Sequence, residues 1–161
     1  MHFQRVTAFA IAVALAMPLS AFTERRTPQR TTSAQAVVDI MNIDRAQYGL
    51  RPLRINAKLS AAAVDRINDM FRYRYFNHVS PSGLEPWTWV ERRGYRYRMI
   101  AENLAVGYRS ADAVVDGWMH SPGHRANLLG RAFDEVGVAI APGSPQRGYG
   151  GPTVVALYGE R

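Results

Sequence analysis

Cysteine is missing from all 161 residues. Its absence excludes disulfide staples, a cysteine-ligated zinc, a thiol nucleophile and a lipid-anchored N-terminal cysteine. Lysine is nearly missing too, with Lys58 alone beside 19 arginines. A bias that uniform reads partly as coding preference, so the net charge of +7 and the pI near 10.2 single out no partner. There are no internal repeats and no low-complexity tract, and beyond residue 15 no apolar run is long enough to enter a membrane. The remaining composition is globular, 47% hydrophobic and 20% charged, at the length of one domain.

The N-terminus has the three parts of a secretory signal peptide. Residues 2–5 carry one positive charge, Val6 to Leu15 is an apolar, alanine-rich run, and small residues follow. The run is too short for a bilayer core of ~30 Å. Cleavage is expected after Ala16 or Ala21, making residues 1–21 the leader; an uncleaved N-terminal anchor is the alternative. Removal of the leader leaves 19 basic against 13 acidic side chains, a balance of +6. The expected location is therefore secreted or periplasmic, with no nucleic-acid partner despite the pI and no transmembrane segment. A cysteine-free exported protein is held together by its core alone, which ~130 residues can supply.

Residues 22–33 are polar and read as a flexible lead-in to a single domain over 34–161. Val37, Ile40, Met41 and Ile43 have near-helical spacing between Ala34 and Tyr48, and Gly49 stops them. Asn56 caps a helix from Ala57 to about Arg72, whose stripe is Leu59, Ala63, Ile67 and Met70. Pro86 opens a short helix through Arg92, closed by Gly94. A strand is expected over 103–108, and Ser110 caps a helix to about Met119 that buries Val114, Val115 and Trp118. Ser121 then caps another short helix ending at Gly130. Val136, Val138 and Ile140 alternate as a half-buried strand, and Thr153 to Tyr158 forms the closing one. Helices early and strands late predict an α+β class.

Three polar clusters interrupt the apolar pattern. His78 lies in the loop from Phe76 to Gly83, either as a hydrogen-bonded surface residue or as a base or ligand. Glu102 sits among Ala101, Leu104 and Ala105, so it is either exposed or committed to a partner. His120 and His124 have the i, i+4 spacing of a zinc-protease helix, yet Pro122 and Gly123 lie between them and no Glu follows the first His. His124 is then the better-placed group, and His120 an exposed helix-end residue. Ser80 reads as a turn residue and Ser121 as a cap, which leaves no serine triad.

The segments FNHVSPSG, AENLAVG, GWMHSPGHRANLL and EVGVAI, in that order, resemble the bacterial branch of the CAP superfamily, the SCP domain of cysteine-rich secretory, antigen 5 and pathogenesis-related 1 proteins. The run from Asn42 and Arg45 through Gly49, Pro52, Leu53 and Leu59 to Asp69, Met70 and Phe76 fits the first two helices of that family, so the likeness spans about residues 36–141. The resemblance implies a three-layer α-β-α sandwich with a central cleft lined by two His and two acidic residues, where some members bind zinc. Motif by motif, His78 takes the first His position, Glu102 the first acidic position and His124 the second His position, with Ser121 and Asn127 lining the cleft. Two features depart from the family pattern. Ser121 stands where the second Glu falls, and Val154 to Tyr158 replaces a more aromatic and polar ending.

Two imidazoles and solvent hold zinc less tightly than the three protein ligands usual for catalytic zinc. Glu102 is then a third ligand, an orienting group behind an imidazole, or a base toward bound water. Two functions follow. One is a binding module for a small apolar ligand, a lipid or an envelope-derived glycan, with zinc as the implied cofactor; the other is a weak metal-dependent hydrolase of peptidase or esterase type using His78, His124 and Glu102 as catalytic groups. Separately, the stretch from Glu91 to Arg98 interleaves Arg92, Arg93, Arg96 and Arg98 with Tyr95 and Tyr97. That pattern suits an anionic surface of sugars or phospholipid headgroups, or else is a solvated face of an arginine-rich protein.

Overall fold

The computed structural model describes residues 32–161. The expected leader and nearly all of the expected lead-in lie outside them. Each of the three longer helices starts where a polar side chain can accept a free backbone N–H. Ser33 accepts from Ala36 and opens α1 (Ala34–Gln47). Asn56 accepts from Lys58 and Leu59 and opens α2 (Ala57–Tyr73), after a two-residue strand β1 (Arg54–Ile55) that the apolar periodicity does not announce. Ser110 accepts from Ala113 and opens α4 (Ala111–Met119). Such caps contribute ~1 kcal/mol each. The short α3 (Trp87–Arg92) and α5 (Pro122–Leu128) start at prolines. Ser121 does stand at the cap position of α5, but its side chain makes no cap hydrogen bond.

Strands β2 (Met99–Val106), β3 (Glu135–Ala141) and β4 (Thr153–Glu160) complete a four-stranded sheet in the order β1-β3-β4-β2, antiparallel except for β1 beside β3. The register sets Glu102 against Leu157 and Asn103 against Ala156. The period of two along each strand divides the interior into two cores. Val136, Val138, Val154, Ala156 and Tyr158 pack under α1, α4 and α5; Ala139, Leu104, Val155 and Leu157 pack under α2 and α3. Helices on both faces of the sheet make the α+β three-layer sandwich that the sequence resemblance implied.

Two strand expectations need correcting. The first strand starts at Met99 instead of 103 and stops at Val106, because Gly107 (φ +93°) turns the chain away. The strand around Val138 is buried on both sides, since α2 lies directly on its second face. Gly137 makes that approach possible: a Cβ there would fall 2.1 Å from the Leu59 carbonyl carbon and the Ser60 nitrogen.

Candidate functional site

The site is organised by two successive residues of β2, the strand at the end of the sheet. Side chains at consecutive positions point to opposite faces. Glu102 therefore faces α2 and α3, whereas Asn103 faces α1 and α5.

On the first face lies a residue that sequence reasoning missed. Arg66 sits on α2 within the apolar stripe, seven residues after Leu59 and three after Ala63, and it is fully buried. Its Nε donates to Glu102 Oε2 at 3.0 Å, and its remaining nitrogens donate to the Tyr75 hydroxyl and to the carbonyls of Asn77 and His78. The guanidinium also lies 4.6 Å from the Trp89 ring centroid, a cation–π contact in a desolvated setting. Tyr75 in turn donates to Asp69 at 2.6 Å, and burial raises its phenol above the ordinary value. A cation at a core position of a helix was the signal that could have revealed this hub.

Glu102 is thus paired rather than exposed. Its side chain is 2% accessible, with Oε2 on Arg66 and Oε1 accepting from His78 Nδ1 at 2.9 Å. The hydrogen bond fixes which imidazole nitrogen faces inward and leaves Nε2 outward on a side chain that is 51% exposed. The carboxylate bond raises the His78 pKa, outweighing burial.

On the second face, Asn103 Nδ2 donates to the His124 carbonyl at 3.0 Å and to the Tyr158 hydroxyl at 3.1 Å. Asn127 Nδ2 donates to Asn103 Oδ1 at 2.9 Å and to the Glu102 carbonyl at 3.3 Å. These bonds clamp the first turn of α5 to the strand edge and place His124 there. Burial, then the charge of His78, lowers the His124 pKa. The structure therefore brings His78, Glu102, His124 and Asn127 around one strand edge. His120 is elsewhere, exposed at the end of α4 with its Nδ1 on the Asp116 carbonyl at 2.9 Å. Ser80 closes the turn that carries His78 by accepting from the Leu84 N–H at 2.9 Å.

Chemically, this is a pair of imidazoles whose proton affinities are pushed apart, one toward acid and one toward base. Both Glu102 oxygens are engaged, and among the described residues no three His, Asp or Glu side chains are grouped to hold a metal ion. Protein ligation of zinc would rest on His78 Nε2 and the His124 ring.

The arginine-tyrosine stretch differs from the sequence expectation. Arg93 is held by Asp65 through two bonds of 2.6 Å, and Arg98 lies 3.9 Å from Glu160. Tyr95 is buried with its hydroxyl on Glu135, and Tyr97 donates to Glu91. The four arginines are not one free cationic face.

The sequence pattern of the Cysteine-rich secretory protein (CAP) family matches residues 38–158. The chain belongs to the CAP family. It is 38% identical over 102 residues, 63% of its length, to the uncharacterized protein YkwD of Bacillus subtilis, and 31% identical over 111 residues, 69% of its length, to the uncharacterized membrane protein YlbC of the same organism. This CAP chain spans 40% and 32% of those relatives. Among solved structures, an extracellular SCP-domain protein of Bacillus anthracis superposes with a TM-score of 0.68 at 25% identity, covering 80% of this chain and 40% of that one. An outer surface protein of Borrelia burgdorferi gives 0.68 at 20% identity, covering 83% of this chain and 98% of its own. These neighbours are extracellular or surface proteins by name, and among the described residues no helix is long and apolar enough to cross a membrane.

Proposed function

We propose that this CAP protein is an exported binding module in which the His78–His124 edge receives a small apolar or envelope-derived ligand. The observation that carries this reading is the engagement of Glu102. With Arg66 on one oxygen and His78 on the other, the carboxylate orients an imidazole and is not free as a base or third metal ligand. Ser121 replaces the second acidic group that the family pattern places there, and Ser80 is tied into its turn. The hydrolase reading thus lacks both a free carboxylate and an activated nucleophile. An apolar rim supports ligand binding: Val79 is 40% exposed beside His78, and Tyr149, 55% exposed, packs on Phe76 with ring centroids 6.3 Å apart. Zinc, if held, would be exchangeable at two imidazoles.

Titration with a fluorescent fatty acid tests the proposal. Saturable binding that weakens about tenfold in Tyr149→Ala, the loss of ~1.4 kcal/mol of apolar burial, is expected. Zinc-dependent turnover of an ester or peptide substrate that disappears in His124→Ala would replace this reading with the hydrolase.

A further inference from the structure

A second candidate site lies two turns along α2 from Arg66, roughly 12 Å at the rise of a helix, where β2 begins and β4 ends. A cavity of about 1020 Å³ is lined there by Lys58, Glu91, Tyr95, Arg96, Tyr97 and Arg161. Its volume is at the upper end of the ~300–1,000 Å³ typical of small-molecule sites.

The walls are held in place by bonds that leave their outer atoms available. Arg161 is ion-paired with Glu135, its Nε 3.0 Å from Oε2, and its guanidinium lies 5.3 Å from the Tyr95 ring centroid, which keeps the charge at the cavity wall. Tyr95 donates to the same oxygen at 2.8 Å, and Asn56 holds the other Glu135 oxygen at 3.1 Å. Lys58 Nζ donates to the Gly94 carbonyl at 2.8 Å, which keeps the ammonium at the cavity with two further protons. Arg96 is exposed and has no carboxylate partner among the described residues. In the same lining, Glu91 accepts from the Tyr97 hydroxyl at 2.9 Å through Oε1, and Oε2 has no hydrogen-bond partner among the described residues.

We propose that this cavity binds an acidic sugar, its carboxylate or phosphate taken by Lys58, Arg96 and Arg161 and its ring hydroxyls donated to Glu91. Three cations favour an anion. Glu91 selects against a bare one, since a carboxylate in the wall repels an anion that has no hydroxyl to donate. The charged groups in the wall disfavour a wholly apolar guest, which would cover them without pairing them. The site is independent of the histidines and does not rest on the reading given to them.

The test is calorimetric titration of the purified protein with oligogalacturonate, its methyl ester, a poly(glycerol phosphate) oligomer and phosphatidylglycerol vesicles. Binding of an acidic oligomer is expected, with the carboxylate and phosphate arms showing which anion is preferred, and with the neutral ester inert. Arg96→Gln and Lys58→Met should each weaken it about tenfold, the effect of losing one charge-assisted hydrogen bond. Glu91→Leu should weaken it too, whereas Arg92→Gln and His78→Ala should leave it unchanged. Binding to vesicles alone, stronger binding in Glu91→Leu, affinity indifferent to Arg96 and Lys58, or no binding of either acidic oligomer would overturn the proposal.

Discussion

Two arginines are buried to the same extent in this protein and are satisfied in different ways. Arg45 on α1 donates only to carbonyls, those of Arg51, Leu128, Gly130 and Phe133. It ties two segments to the helix, the loop after α1 and the end of α5 with the loop that follows it, and has no carboxylate partner among the described residues. Arg66 on α2 also binds carbonyls, at Asn77 and His78, but its Nε is set against Glu102, which reaches on to a half-exposed histidine. The first cation is a knot. The second is a knot with a lead running to the surface, and that lead separates scaffold from site. A buried charge with carbonyl partners fixes loops, whereas one paired with a carboxylate can also orient a titrating group outside.

Mutation separates the roles of the two arginines. Arg66→Met should be the most damaging change, destabilising by ~3–5 kcal/mol because Glu102 is left buried without its cation; urea unfolding measures it. Adding Glu102→Gln should recover part of that loss, and a double variant no better than the single one would show that the pair is not the cause. Arg45→Met should cost about 2–4 kcal/mol through its stranded carbonyls, with the His78 titration unmoved. If both arginine variants shift His78 equally, the distinction between them fails. His124→Ala should change unfolding by less than ~1 kcal/mol, since the clamp on α5 uses its carbonyl rather than its ring.

The smallest effect is in pH dependence. The folded pKa of His78 is raised by Glu102, so its contribution to stability is complete below the unfolded value of ~6.5 and is lost as pH rises through the folded value. His124 is lowered, so its contribution is present above ~6.5 and is lost as pH falls through its folded value. NMR titration of the metal-free protein should find His78 protonating at higher pH than His124. The reverse order would mean that the His78–Glu102 bond does not persist in solution.

Much of the fold is legible in the chain because it is locally encoded. Ser33, Asn56 and Ser110 announce three helices by the chemistry of their side-chain oxygens, and the stripe of Leu59, Ala63, Ile67 and Met70 faces the core as its spacing requires. The two-residue β1 carries no periodicity to detect, and the second buried face of β3 is hidden because Gly137 and Ala139 are too small to read as apolar. At the site, the histidines and Glu102 stand out as polar residues in apolar or Pro-rich settings. Arg66 and Asn103 also break apolar stretches, but their roles are hidden because a polar residue inside the core is justified by partners far along the chain. The acidic-sugar cavity is less legible still, for it joins Lys58, the segment after α3 and Arg161, which meet only on folding.

Commitment of Glu102 to Arg66 and His78 leaves two imidazoles and, among the described residues, no third metal ligand. Calorimetric titration of the metal-stripped protein with zinc tests it most directly, with His78→Ala/His124→Ala and Glu102→Gln as comparisons. The account predicts no binding tighter than ~1 µM, or ~8 kcal/mol, with any weaker binding lost in the double histidine variant and retained in Glu102→Gln. Submicromolar binding that collapses in Glu102→Gln would contradict it, because the carboxylate would then be leaving Arg66 and His78 to ligate the metal.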